Sequence, residues 1–308
     1  MDVVIETFSP GYLKDHRLDL ETLNEINPQL ILVSVTGFGQ KGPRNQYKSC
    51  DLVASAFGGQ MVLSGSASTA PLRPFGEQSY YVASLFAAIG ILLAIRKRND
   101  SGKGEHIDIS LQEAVASTLE HVMVQYFYEK VIPKRRGSLH WNNSFCILPC
   151  KEGHILITLF QQWDTLVEWM ADEGMVEDLR EEKYSEEEYR LGHLDHIIEV
   201  IGRWTKIHTT HELFELGQLM HFPWAPVYSP EEVLVDTQLK TRRFFGDVDH
   251  PPMSVSLQYP GLPYQFSQYS RSRWKQAPLI GENNIQIYQE ELGLSEEDLK
   301  RLSSTDVI

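Results

Sequence analysis

Apolar positions near the N-terminus fall in short blocks. Val3-Val4-Ile5 is followed by the turn chemistry of Ser9-Pro10-Gly11, then by helical spacing from Leu20 to Ile26 that Asn27-Pro28 ends, then by Leu30 to Val35. Short continuous apolar runs read as strands buried on both faces. Strand, helix and strand in such close succession predict a βαβ unit and a parallel, doubly wound sheet. From Asp51 a helix broken at Gly58-Gly59 leads into a loop. Tyr80 to Ile95 then holds only Ser84 and Gly90 outside the strongly apolar set. A helix apolar all round is expected to be buried on every side. With Arg96-Lys97-Arg98 after it, the run falls short of the ~20 residues a bilayer needs. It is therefore predicted as the central helix of a protein core, not a membrane span.

Further along, Ile107-Asp108-Ile109 predicts a strand and Leu111 to Tyr128 one amphipathic helix, with a loop from Lys134-Arg135-Arg136-Gly137 closing the block. Ile155 to Leu159 predicts another strand, followed by a helix through Trp163, Leu166, Val167 and Met170. Acidic helical segments from Met175 to Tyr189 and Leu191 to Trp204 present solvated faces. Thr209 or Thr210 caps a helix from Glu212 to Leu219. Phe222 to Val227 is extended, and Ser229-Pro230-Glu231-Glu232 starts a helix with Pro in its first turn and a capping box. The domains expected are a Rossmann-like block at 1–135, a smaller α+β domain at 136–265, and a C-terminal return segment at 266–308 that packs on the first block.

Composition adds exclusions. The 308 residues are 42% hydrophobic and 23% charged, which are globular values. A formal net charge of −14 argues against nucleic acid as a partner, because phosphate binding needs a basic face. Three cysteines, Cys50, Cys146 and Cys150, in so long a chain point to a reducing, cytoplasmic setting and to ordinary buried or half-buried thiols. No spacing of His or Cys demands a metal. His106 is expected to be hydrogen-bonded and structural, and Trp141, Trp163, Trp169 and Trp204 to belong to the core. No secretory signal pattern opens the chain, and its start within a strand is expected to leave it short of a complete Rossmann block.

Residue order carries a resemblance. Asp51, Leu52, Ala54, Ala56, Gly58 and Gly59 are followed by Pro71 and Gly76. Then come Leu85, Ala87, Ala88, Ile89, Gly90, Ile91, Leu92 and Ala94, and after them Gly102, Gly104, His106, Asp108, Ser110 and Leu111. This succession resembles the family III CoA-transferases, the CaiB/BaiF group. Ala225-Pro226-Val227, Asp236, Gln238, Leu239, His250-Pro251 and Ala277-Pro278 to Gly281-Glu282 extend the likeness along the chain. The resemblance implies an α/β fold of a Rossmann-like parallel-sheet block plus a smaller α+β domain, arranged as an intertwined dimer. It also implies transfer of CoA between an acyl-CoA and a carboxylic acid, with no metal. In that chemistry an aspartate attacks the donor thioester, and the CoA thiolate leaves and then reopens the mixed anhydride. The enzyme-bound thioester passes CoA to the acceptor acid. Phe8, Pro10 and Gly11, the loop Gly37-Phe38-Gly39, Lys48 and Asp51 occupy positions that the resemblance places near CoA. Lys48 is equally readable as a surface lysine, and Asp51 as a helix cap.

The same resemblance exposes a gap. The family's aspartate falls seven residues before the first Ala of Ala87-Ala88-Ile89-Gly90, where Tyr80 stands, or, counted forward from Gly76 without a gap, at Tyr81; neither is a carboxylate. A phenol cannot form an acyl anhydride. Glu77, one helical turn away, and Asp51 are the nearest acids; Glu77 reads either as a relocated nucleophile or as an exposed loop residue. The racemases of the family pair a His with the aspartate, and Cys50 and Tyr80 occupy those two places. The loop at 134–143, glycine-rich in many relatives, keeps Gly137 and adds His140 and Trp141. Tyr80, Tyr81, Trp141 and Phe145 are candidates for an aromatic pocket. Three readings follow: a subunit lacking its own nucleophile, paired with a catalytic relative; an active transferase using Glu77 or Asp51; and a catalytically silent acyl-CoA-binding or structural protein or gene fragment. Homodimer and heterodimer both remain open.

Overall fold

The computed structural model describes residues 2–268 and 274–308, and the chain divides into two compact units, the first running to Pro226 and the second from Val227. The expected blocks 1–135 and most of 136–265 thus share the first unit. That unit opens with β1 (Val3–Glu6), α1 (Tyr12–Asp15), α2 (Leu20–Ile26) and β2 (Ile31–Thr36). It continues with α3 (Asp51–Phe57), α4 (Gln78–Ser101) and β3 (His106–Ser110). The three strands form a parallel sheet in the order β1-β2-β3, with Val33 beside both Ile5 and Ile107. The predicted βαβ unit is present. Within the sheet, the Ser34 hydroxyl and the His106 ring lie 2.8 Å apart, the structural role expected of that histidine.

Helix α4 departs from expectation in length and burial. It continues through the basic run to Ser101 and stops at Gly102, whose left-handed backbone (φ 69°) suits a glycine cap. Its buried residues are small: Ser79, Ala83, Ala87 and Ala94. Ala87 and Ala94 pack with Ile31 and Val33 of the sheet, and Ala83 with Ala54 and Leu111. A Cβ on Gly90 would meet Ile107 of β3 at 3.3 Å. The sheet is therefore approached by a stripe of small residues, while Tyr81, Leu85, Ile89, Leu92 and Leu93 are exposed. By length and composition α4 could cross a membrane, so the length argument drawn from the sequence does not hold. The expectation of burial on every side is likewise corrected.

After β3, the expected single helix is two, α5 (Leu111–Ala116) and α6 (Glu120–Glu129). Ser117 and Thr118 turn their hydroxyls back onto the carbonyls of Ala114 and Val115, at 2.7 Å each, and the helix ends there. The rest of the unit is β4 (Phe145–Pro149), β5 (His154–Thr158), α7 (Trp163–Asp172), α8 (Glu187–Gly192), α9 (Leu194–Thr205), α10 (Thr210–Leu219) and β6 (Ala225–Pro226). The three strands form an antiparallel sheet in the order β4-β5-β6. Their core holds Ile155, Ile157, Trp163, Met170, Ile197, Trp204 and Trp224. Trp163 and Trp204 are core residues as expected, whereas Trp141 is 52% exposed. Thr209 caps α10 with a full capping box.

In the second unit α11 (Pro230–Val235) starts at the predicted Ser229 box, and α12 (Thr237–Thr241) follows. A hairpin, β7 (Phe245–His250) with β8 (Val255–Pro260), precedes a π-helical turn at Ile285–Glu291 and α13 (Glu296–Ser304).

Candidate functional site

A cavity of about 610 Å³ opens in the first unit between the loop after β1, the segment after β2 and one face of α4. Phe8, Pro10, Gly37, Lys48 and Tyr80, five of the residues singled out from the sequence, line it. Its walls are tied together. Buried Glu6 accepts the Phe8 N–H at 2.7 Å, and Phe8 stacks on Tyr12 at 4.4 Å. The Gln46 amide donates to the Pro10 carbonyl at 3.0 Å, joining two walls. Gly37 packs so closely on Ser49 that any Cβ there would overlap the serine side chain. This is why a glycine follows β2 at that point. Asp108 anchors the next turn by accepting the Gln40 N–H with both carboxylate oxygens at 3.0 Å.

Other candidates support the cavity without lining it. Gly11 is left-handed (φ 94°) and begins α1. Gly39 is buried and also left-handed (φ 80°). Phe38 packs edge-on against Phe57 and Tyr47. Nothing in the sequence singled out Asn45, Gln46 or Ser49, although the polar run between Pro43 and Asp51 was the available signal.

The two candidate acids are both outside the cavity lining. Asp51 is 9% exposed, and its Oδ1 accepts the Ser79 backbone N–H at 3.0 Å and the Ser79 hydroxyl at 2.8 Å. Ser79 is the second residue of α4, so Asp51 caps a helix other than its own. Its own helix is served in return. The Tyr80 hydroxyl accepts the Asp51 N–H, the first amide of α3, at 3.1 Å. The two helix starts thus cap each other. Glu77 precedes α4, is exposed, and makes no side-chain capping bond. Among the described residues lining the cavity, Lys48 is the one charged side chain and none is Asp or Glu. The hydroxyls of Thr36 and Ser49, in two lining residues, are buried with no hydrogen-bond partner among the described residues.

The expected aromatic pocket is not assembled. Tyr80 lines this cavity and Trp141 a different one, and neither Tyr81 nor Phe145 lines either. Of the thiols, Cys146 is buried and Cys150 half-buried, but Cys50 is exposed at the start of α3, contrary to expectation. Among the described residues no group of three or more His, Cys, Asp or Glu is placed to hold a metal ion.

Comparison with known proteins gives these positions a context. The model of "CoA-transferase family III" matches residues 1–284. The chain is 31% identical, over 94% of its length and 72% of the relative's, to the succinyl-CoA:(R)-benzylsuccinate CoA-transferase subunit BbsE of Thauera aromatica. It is 29% identical, over 100% of its length and 76% of the relative's, to the succinyl-CoA–L-malate CoA-transferase beta subunit of Chloroflexus aurantiacus. A CAIB/BAIF family protein from Brucella suis, of known crystal structure, superposes with a TM-score of 0.81 at 27% identity, covering 94% of this chain and 75% of that one. With its parallel sheet, its cavity against α4 and a family match over most of its length, this chain belongs to CoA-transferase family III.

Proposed function

We infer that the chain is a subunit of a CoA-transferase, moving CoA between an acyl-CoA and a carboxylic acid, in which the nucleophilic aspartate comes from a partner subunit. One observation carries this reading. Tyr80 stands where the family's aspartate is expected, its hydroxyl holds the first amide of α3, and the cavity beside it has no carboxylate in its lining. Anhydride formation needs a carboxylate oxygen that reaches the thioester carbonyl. Asp51 is committed to Ser79, and Glu77 stands outside the cavity lining. Neither supports the reading of an active chain with a relocated nucleophile.

Two further features support a partner. The two relatives described above are named as subunits, and both names carry succinyl-CoA, which makes it the donor to try first. The exposed apolar stripe of α4, from Tyr81 through Leu85 and Ile89 to Leu92, offers a face for pairing. The presence of Lys48 in the cavity lining supports contact with an anionic group of the acyl-CoA.

The test is a CoA-exchange assay with succinyl-CoA and a panel of aromatic and aliphatic acids. The purified chain is used alone and mixed with an aspartate-bearing relative, and a Tyr80→Asp variant is run alongside. Activity in the mixture beyond that of the relative alone is the expected result. Exchange by the wild-type chain alone would overturn the reading and return attention to Glu77 and Asp51. Binding of acyl-CoA without exchange in any mixture would leave a silent acyl-CoA-binding protein in its place.

A further inference from the structure

A second cavity in the first unit, of about 890 Å³, shares no lining residue with the first. It lies between the residues after α3, helix α6 and the loop at 131–141. Three consecutive cations, Lys134, Arg135 and Arg136, line it against one carboxylate, Asp195, and none of these four forms an ion pair among the described residues. In a chain of formal charge −14 this is a local reversal of sign. A concave, partly apolar wall concentrates the field of such a cluster and draws anions.

The three cations differ in their commitments. Arg135 is spent on the backbone: its guanidinium donates to the carbonyls of Ser66 at 3.0 Å, Thr69 at 2.7 Å and Val62 at 3.5 Å, holding the loop that forms one wall. Arg136 gives Nη1 to the Trp141 carbonyl at 2.9 Å, and its remaining donors form no hydrogen bond among the described residues. Lys134 is exposed, and its ammonium forms no hydrogen bond among the described residues. Beside them His121 and Trp141 stack at 4.2 Å between centroids and 17° between planes, and the indole is still 52% exposed. Val131, Ile132 and Leu139 supply apolar wall. Free cationic donors next to a half-open indole form a composite site. The donors take carboxylate or phosphate oxygens, and the indole takes a planar ring.

We propose that this second cavity binds an organic anion carrying a planar aromatic ring, its charge held by Lys134 and Arg136 and its ring by Trp141. Such a molecule has two sources, an aromatic carboxylic acid and a nucleotide. The site rests on its own side chains, so it stands or falls apart from the role of Tyr80.

The experiment is calorimetric titration of the whole chain with phenylsuccinate, succinate and adenosine diphosphate at low and moderate salt. Phenylsuccinate or the nucleotide is expected to bind, more weakly as salt rises, and succinate to bind less tightly than phenylsuccinate. The double variant Lys134→Gln/Arg136→Gln leaves Arg135 and the wall it holds in place. It is expected to lose about tenfold or more in affinity, on the scale of one or two charge-assisted hydrogen bonds. Trp141→Ala is expected to weaken the ring-bearing ligand and leave succinate unchanged. Lys240→Gln, an exposed cation that lines neither cavity, is expected to leave this binding intact. Which of the two aromatic ligands binds identifies the source. Absence of binding by both, or binding that the double variant leaves unaltered, or binding that Lys240→Gln weakens as much as the double variant does, would overturn the assignment. Unchanged circular dichroism of each variant secures the comparison.

Discussion

Removing the Asp51 carboxylate is the sharpest probe of how this site is built. Its Oδ1 serves two donors of Ser79, a residue with no exposed surface, so Asp51→Ala strands a buried amide and a buried hydroxyl at the start of α4. Loss of a helix cap costs about 0.5–2 kcal/mol, and an unsatisfied buried group about 1–3 kcal/mol. Overlap between the two makes about 3 kcal/mol a reasonable sum for this variant. Asp51→Asn keeps an Oδ1 acceptor and gives up only the charge, so about 1 kcal/mol is expected. Tyr80→Phe removes a single bond, from the Asp51 N–H to a partly exposed hydroxyl, and should also cost about 1 kcal/mol.

Urea unfolding followed by far-ultraviolet circular dichroism measures the three costs. Amide hydrogen exchange localises them. In Asp51→Ala the Ser79 amide should lose protection first, and in Tyr80→Phe the Asp51 amide. If Asp51→Ala unfolds within about 0.5 kcal/mol of the parent, the size of an ordinary surface change, the carboxylate is not a cap. Asp51 would then return as a candidate nucleophile. The order Ala, then Asn, separates the two roles, because a nucleophile is destroyed equally by both substitutions whereas a cap is largely preserved by Asn.

Other outcomes follow from the same structure. Gly37→Ala would drive a Cβ into Ser49 and displace the polar wall, so acyl-CoA binding should fall while the antiparallel-sheet core stays folded; retention of binding would show that the close contact is dispensable. Brief alkylation at neutral pH should label exposed Cys50 first, with Cys146 held back by burial and Cys150 by a thiol pushed up to about 11, through burial and then Glu152; peptide mass mapping gives the order. Burial and then the hydrogen bond to Asp178 push the Tyr184 phenol from 10.0 up to about 12. Because the folded state holds that proton more tightly than the unfolded chain, its contribution is complete below about pH 10 and fades as pH rises towards 12. Tyr184→Phe should flatten the alkaline limb of the stability profile. Paired Leu85→Asn and Leu92→Asn changes on the exposed face of α4 should leave the secondary structure intact and lower the mass seen by light scattering, if that face pairs subunits.

What the sequence made legible was local. Apolar runs located β1, β2 and β5 to within a residue or two, and the spacing from Leu20 to Ile26 gave α2 with both ends. Ser229 announced its helix, because a capping box is written in four consecutive residues, and of the two caps expected before the Glu212 helix the structure uses Thr209. The failures arose where distant or unusual partners decide. Ser117 and Thr118 broke a predicted helix by bonding back to their own turn, a choice that periodicity does not register. Helix α4 misled for a different reason. Its buried residues are Ser and Ala, with Ile91 and Ile95 packed partly buried against the sheet, while Tyr81, Leu85, Ile89, Leu92 and Leu93 are exposed. Reading apolar character as depth therefore buried every face, when the face of small residues is the one that lies inside. Close approach of helix to sheet needs small side chains.

The site shows the same division. The resemblance leads one to expect an aspartate at Tyr80, but does not tell what the hydroxyl there does. That depends on a bond across 29 positions of sequence, to the amide that opens α3. With this bond in view, the substitution is more than a loss. A phenol at the head of α4 satisfies a donor at the head of α3, while Asp51 repays the favour at Ser79. The starts of α3 and α4 are thereby joined to each other. A carboxylate restored at position 80 would have to satisfy the Asp51 amide with one oxygen and attack with the other. Carboxylate has two acceptor oxygens, so both are possible in principle. The Tyr80→Asp variant therefore asks whether the rest of the site is still aligned around that position.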